Sequence, residues 1–203
     1  MTVTLHQGDL PKDLNLGSAI AVDTEAMGLN NHRDRLCLIQ LSAGDGNAHL
    51  VQFAPGGYDA PHLKKLLADQ KVLKIFHFAR FDVAIIKKYL EVDCTPLYCT
   101  RIASYLARTY TDRHGLRDLC RELLDVEISK QQQSSDWGYN TLSPEQLNYA
   151  ANDVLHLHRL KERLDLMLAR ENRQKLAQVT MDFIPTRAAL DLAGWHEIDI
   201  FAH

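Results

Sequence analysis

Residues 21–29 read "AVDTEAMGL" and place Asp23 and Glu25 two positions apart in an otherwise apolar run. The preceding "SAIAV", residues 18–22, favours a β-strand, and in a strand positions i and i+2 share one face. Both carboxylates therefore point to the same side. Like charges held that close repel, and each raises the pKa of the other unless a cation lies between them. The rest of the chain has to be read for what neutralises them.

Working outward, residues 36–42 ("LCLIQLS") and 48–53 ("AHLVQF") are short apolar or alternating runs divided by polar, glycine-containing turns. With residues 18–24 they predict three sequential strands in hairpin connections. "PHLKKLLADQ" follows as a helix with Pro61 near its start. "VLKIF" (72–76) is a fourth strand and "FDVAIIKKYL" (81–90) a second helix. A short strand at 97–99 precedes helices near 100–109 and 115–124. Ser143, Pro144 and Gln146 form a capping signature, which opens one long helix from about 144 to about 170. Its apolar positions, Leu147, Ala150, Ala151, Val154, Leu157, Leu160 and Leu164, fall at mixed three- and four-residue steps. A segment containing Pro185 adds one or two more helices. No repeat, linker or low-complexity tract interrupts the pattern. The expectation is one domain over 1–203, of α/β class: an antiparallel hairpin set continued into a mixed sheet and covered by helices.

The 203 residues are 46% hydrophobic and 24% charged, an ordinary globular profile. No run of about 18 apolar residues points to a membrane span. The first residues lack the pattern of a secretory signal, so the expected location is the cytoplasm. Cys37, Cys94, Cys99 and Cys120 form no CxxC pair and read as reduced core thiols. His156 and His158, two apart on a helix, do not face each other and read as boundary residues. A net charge of −3 argues against a binder that grips polyanions by bulk charge. It leaves room for an enzyme that meets phosphates through divalent cations.

Three further residues bear on the opening pair. Asp82, in "IFHFARFDVAII", taken alone is a residue complementing a helix dipole. Tyr149 and Asp153, in "LNYAANDVLHL", lie four apart on one helix face flanked by Ala and Leu. Four carboxylates on apolar surfaces would each cost several kcal/mol without compensation. Hard divalent cations with oxygen ligands are the simplest compensation, so Mg²⁺ or Mn²⁺ is placed between Asp23 and Glu25. Two such ions about 4 Å apart form the arrangement that hydrolyses phosphodiesters, and a phenol beside them can hold the attacking water.

"DTE" on the first of these strands, H-x-x-x-x-D from His77 to Asp82, and Y-x-x-x-D from Tyr149 to Asp153 occur in order. Over residues 18 to 160, including "KQQQSSDWGYNTLSPEQLNYAANDVLHL", the chain resembles the DEDDy 3′–5′ exonucleases of the ribonuclease D group. The resemblance implies a ribonuclease H-like fold, two divalent metals (Mg²⁺ or Mn²⁺), and release of nucleoside 5′-monophosphates from a 3′ end. It implies that Asp23 bridges both metals, that Glu25 and Asp153 complete one site, and that Asp82 supports the other. Tyr149 would orient and help deprotonate the water, whereas a histidine there would mark the DEDDh subgroup.

Met27, Leu29, His77 and Arg80 are placed at the substrate. D-x-E-x-x-G-L is also the spacing of the oligoribonucleases, whose leucine wedges between the last two bases. Gly28 would permit the turn that presents Leu29 at the rim, and the alternative is an ordinary core leucine. The chain ends before the extra helical domains of ribonuclease D proper, and in length, in "DTEAMGL" and in "DIFAH" it is similar to the stand-alone nanoRNase C branch. That similarity implies short single-stranded RNA substrates, dinucleotides included, and a homo-oligomer in an octameric ring. DNA is the rival substrate. A non-catalytic nucleic-acid module is the rival from another class, but it would be expected to lose a carboxylate, and all four are present with the tyrosine. Arg80, Arg101, Arg108 and Lys130 are candidates to hold phosphates, each otherwise a solvated surface charge.

Overall fold

The apolar runs on either side of the Asp23–Glu25 pair become neighbouring strands. In the computed structural model, which describes residues 2–129, 131–132 and 135–202, the strands are β1 (Val3–Gln7), β2 (Ala19–Ala26), β3 (Leu36–Ser42), β4 (Ala48–Gln52), β5 (Leu73–Phe76) and β6 (Leu97–Cys99). Lys130, a candidate phosphate contact, lies outside the described residues. The strands form one sheet in the order β1-β4-β3-β2-β5-β6. β2, β3 and β4 pair antiparallel, as two hairpins. All seven residues of β3 are buried, as befits a strand covered on both faces. β5 and β6 join in parallel, which requires crossover connections, and helix α2 (Ala79–Leu90) provides the one between them.

β1 is an element that the sequence pattern did not disclose. Its five residues pair in parallel with β4, from Val3↔Ala48 to Gln7↔Gln52. A half-buried edge strand of that length, with no hairpin partner next to it in the chain, gives little periodic signal.

Two irregularities of β2 position the site. Its parallel pairing with β5 runs only from Ala19↔Leu73 to Ala21↔Ile75 and stops before Asp23. On the other side, Glu25 pairs with Leu38 and Ala26 with Leu36, so Cys37 is the extra residue of a β-bulge. Bulges bend a strand and re-aim its side chains.

Helices cover the sheet: α1 (Pro61–Ala68), α2, α3 (Thr100–Ala107), α4 (Leu116–Leu124), α5 (Pro144–Leu155), α6 (Leu157–Arg170), α7 (Gln174–Asp182) and α8 (Ile184–Leu190), with a π-helical turn at Asp191–Trp195. The expected single helix over 144–170 is corrected to two, α5 and α6, which break at His156 (φ −107°, ψ −6°). The apolar faces of the two halves have different destinations. α5 lies on β2, β3 and β4, whereas α6 packs on α3 and α4. α2 begins at Ala79, earlier than the sequence predicts, because Phe78 turns the corner from β5 in a left-handed conformation (φ 68°, ψ 40°). All four cysteines are buried free thiols. No described helix is long and apolar enough to cross a membrane.

Candidate active site

Three elements bring carboxylates to one place. β2 contributes Asp23 and Glu25, α2 contributes Asp82, and α5 contributes Asp153 with Tyr149 one turn before it. The start of α5 is fixed by a complete capping box. Ser143 Oγ accepts from the Gln146 N–H at 3.2 Å, and Gln146 Oε1 accepts from the Ser143 N–H at 2.9 Å. One oxygen from each of Asp23, Glu25 and Asp153 lies within 4.8 Å of the others. Asp82 stands outside that triple. It is buried, and its Oδ1 accepts from Thr24 Oγ1 at 2.6 Å, with a further hydrogen bond from the Thr24 backbone N–H. All four carboxylates and Tyr149 line one cavity of about 670 Å³.

The electrostatics of this cluster is that of unbalanced negative charge. Burial pushes the Asp23 carboxyl up to about 7. Glu25, Asp82 and Asp153 are held well above the ordinary carboxylate range, first by burial and then by the charges of their neighbours. The Tyr149 phenol is raised as well, by burial and by Asp153, Glu25 and Asp23, and it hydrogen-bonds Asp153. The donor set is oxygen-only and anionic, which fits a hard divalent cation and disfavours a soft one. A cation there would cancel the repulsion that burial has strengthened. Asp23, Glu25 and Asp153 are placed so that they could hold a metal ion, and Asp82 lines the same cavity.

The loop after β2 carries two of the predicted substrate contacts, Met27 and Leu29. Gly28 does not adopt a positive φ, which corrects the expectation that it permits a special turn. Its constraint is space: a Cβ there would run into the Asp34 carboxylate. Asp34, itself buried, accepts from the Asn30 N–H at 3.0 Å and closes the loop. Leu29 is thereby left 88% exposed at the cavity mouth and is not a core residue. Met27 is half-exposed and packs against Gly138, where a side chain would collide with its sulfur. His77 lines the cavity, with Nδ1 2.9 Å from Thr100 Oγ1.

Two of the basic candidates are placed elsewhere. Arg80 lines an adjoining cavity of about 470 Å³ that shares Leu29, Phe78 and Phe81 with the first. Its Nε and Nη2 donate to the Asp191 carboxylate, both at 2.7 Å. Arg108 is fully buried, paired with Glu122 and bonded to Ser104 Oγ and the Arg113 carbonyl. It is therefore neither a phosphate contact nor a solvated surface charge. Arg101 does line the carboxylate cavity.

Two supporting residues escaped sequence reasoning. Asp34 holds the Leu29 loop, and nothing in the pattern separates it from an ordinary surface aspartate. Trp137 is 2% exposed and its ring lies tilted beside that of Tyr149, 6.1 Å centre to centre, so it packs against the phenol-bearing ring. Its only signal was a tryptophan shortly before the capping box.

Comparison with known proteins gives a consistent result. A family model described as "3'-5' exonuclease" matches residues 8–169. The ribonuclease D of Granulibacter bethesdensis is 34% identical over 154 residues, 76% of this chain and 38% of that protein. The chain thus spans about two fifths of the length of the curated relatives it matches. The structure "Brucella melitensis NrnC bound to pGG" superposes with a TM-score of 0.97 at 54% identity, over 100% of this chain and 99% of that one. The same protein "with bound Mg2+" gives 0.96 and 53%, with both chains fully covered.

Proposed function

The chain belongs to the 3′–5′ exonuclease family, and from that membership we propose that it is an exoribonuclease of the ribonuclease D type acting on short RNAs, dinucleotides included. The observation that carries this reading is the convergence of Asp23, Glu25 and Asp153 on one point, with Asp82 and Tyr149 in the same cavity. NrnC, similar to this chain over nearly the whole of both, binds pGG, a two-nucleotide molecule, in one structure and Mg²⁺ in another.

In this reading Asp23, Glu25, Asp82 and Asp153 would hold divalent cations, Mg²⁺ or Mn²⁺, two by the resemblance. Bound there, they supply charge neutralisation at the scissile phosphate and a more acidic water. The protein's own part is positional. The Tyr149 hydroxyl, held by Asp153 and packed against Trp137, accepts from the water and fixes its approach to phosphorus. Leu29, standing at the mouth, separates the terminal base from the one before it. Met27 and His77 wall the pocket that receives the terminal nucleotide. The exposed apolar side chains Trp195, Ile198, Ile200 and Phe201 favour self-association, in keeping with the ring-shaped homo-oligomer implied by resemblance.

Digestion of 5′-labelled RNAs of two to twenty nucleotides, with matched DNAs, tests the proposal. Stepwise shortening from the 3′ end is expected with Mg²⁺ and none in EDTA. Turnover in EDTA, or internal cleavage, would overturn it. Faster shortening of the DNA series would move the substrate from RNA to DNA.

A further inference from the structure

Gln40, on β3, opposes Asp23 across the antiparallel ladder. Residues directly opposite in such a ladder turn their side chains to the same face, with Cβ atoms about 4.5–5.5 Å apart. On its other side Gln40 opposes Leu50 of β4. Leu50 and Leu38 pack with Ala150 of α5 and with Trp137, so this face of the sheet lies under the helix that delivers Tyr149 and Asp153. Gln40 therefore belongs to the layer of the carboxylates but sits behind them, 0% exposed, where no substrate atom reaches.

Neither Nε2 nor Oε1 of Gln40 has a hydrogen-bond partner among the described residues, and both atoms are buried. Other buried polar side chains of the sheet are provided for. Ser42 Oγ donates to the Asn47 carbonyl at 2.6 Å. Gln52 Nε2 donates to the Tyr139 carbonyl at 2.8 Å, and its Oε1 accepts from Gln7 Nε2 at 3.0 Å. Lys74 Nζ donates to the carbonyls of Asp69, Val72 and Thr95. A buried carboxamide with both ends unmatched destabilises a fold, and an apolar side chain of similar size would suit the place better. Packing of the sheet thus gives no reason for an amide at this position. The neighbouring carboxylate does. Asp23 accepts from the Thr24 N–H, and a carboxylate has about four acceptor sites, which one N–H and a cation do not exhaust.

We propose that Gln40 is a positioning residue of the metal centre, its Nε2–H donating to the Asp23 carboxylate when that carboxylate holds a divalent cation. Carboxylates that ligate a metal are themselves held by hydrogen bonds from behind, which fix their orientation. At the height of Asp23, β2 has a strand neighbour on the β3 side, whereas its pairing with β5 ends at Ala21. β3 is therefore the side from which such a donor comes, and Gln40 is its residue in register. The proposal rests on the exoribonuclease reading, in which the carboxylates hold the metal.

Three measurements test it: Mg²⁺ affinity by calorimetry, melting temperature in EDTA, and kcat with KM on a two-nucleotide RNA. Gln40→Met keeps the length of the side chain and removes both polar ends, and Gln40→Leu removes them with a different shape. Both variants should bind Mg²⁺ about 10–100-fold more weakly than wild type. At a fixed, subsaturating Mg²⁺ concentration kcat should fall with that affinity, while KM for the RNA stays nearly unchanged. In EDTA the variants should melt no lower than wild type, since the amide has no partner to lose there. Wild-type Mg²⁺ affinity in either variant would overturn the assignment. Melting below wild type in EDTA by both variants would overturn it too, by making Gln40 a residue of the sheet. A wild-type protein that binds no Mg²⁺ would refute the metal-dependent reading itself, and the assignment with it.

Discussion

Leu29 projects from a loop that Asp34 closes from within, so its side chain has almost no neighbours to lose. Truncation to Ala should therefore leave the melting temperature nearly unchanged, where a core leucine would cost about 2–5 kcal/mol. It should raise KM most for two-nucleotide RNA, which has few other contacts. Equal KM changes on two- and seven-nucleotide RNAs would remove Leu29 from the base-separating role. Tyr149 is the opposite case, a side chain packed in place by Trp137. Tyr149→Phe keeps the ring and deletes the hydroxyl, so turnover should fall about 10²–10⁴-fold with little change in Mg²⁺ affinity measured by calorimetry. Normal turnover in that variant would make Tyr149 a packing residue. The shared face of Tyr149 and Asp153 was legible in the sequence, because i, i+4 in a helix fixes which side chains stand together, whereas the role of Leu29 was implied only by resemblance to the oligoribonucleases. The residues that aim them were not legible. Asp34 and Trp137 act through contacts with segments distant in sequence, and no local period encodes those.

The helix that delivers Tyr149 and Asp153 shows the same division. Its start was readable from Ser143, Pro144 and Gln146, since a cap is a local bargain between neighbouring backbone and side-chain groups. Its end was not. The apolar steps run through His156 without a flaw, and the break comes from α5 and α6 being drawn to different surfaces. The cap is open to measurement. Ser143→Ala should cost about 1 kcal/mol in urea unfolding, or about 2–4 °C in melting temperature for a protein of this size. A change within experimental error would mean that packing on β3, and not the capping box, fixes the first turn. β1 is the converse example, an element without a strong pattern that exists because β4 offers it an edge.

At the scale of the whole molecule, the C-terminal segment is tied back to α2 by one carboxylate. Burial pushes the Asp191 carboxyl up, but hydrogen bonds from Arg80 and Arg187 outweigh it and hold it below the ordinary aspartate range. A depressed carboxyl contributes stability above its unfolded pKa and loses it as pH falls through the folded one. Asp191→Asn should therefore lower the melting temperature at neutral pH, and the gap to wild type should close in acid, below the usual aspartate range. A gap independent of pH would show that the clasp works through shape alone. The central hairpins and the parallel strands beyond them could be foreseen, and the β1 edge could not, since it has no hairpin partner beside it in the chain. Where β5 turns away from β2 after Ala21, Asp82 takes the Thr24 N–H and hydroxyl, filling the place of the missing neighbour strand. The four carboxylates are thus unequal as building material. In EDTA, Asp23→Ala should melt no lower than wild type, because it deletes a repelling charge, whereas Asp82→Ala should melt lower because it orphans the buried Thr24 hydroxyl at about 1–3 kcal/mol. Equal melting temperatures for the two variants would refute the distinction. If they differ as expected, Asp82 is a seam as well as a proposed metal ligand, a position where losing the chemistry also weakens the sheet.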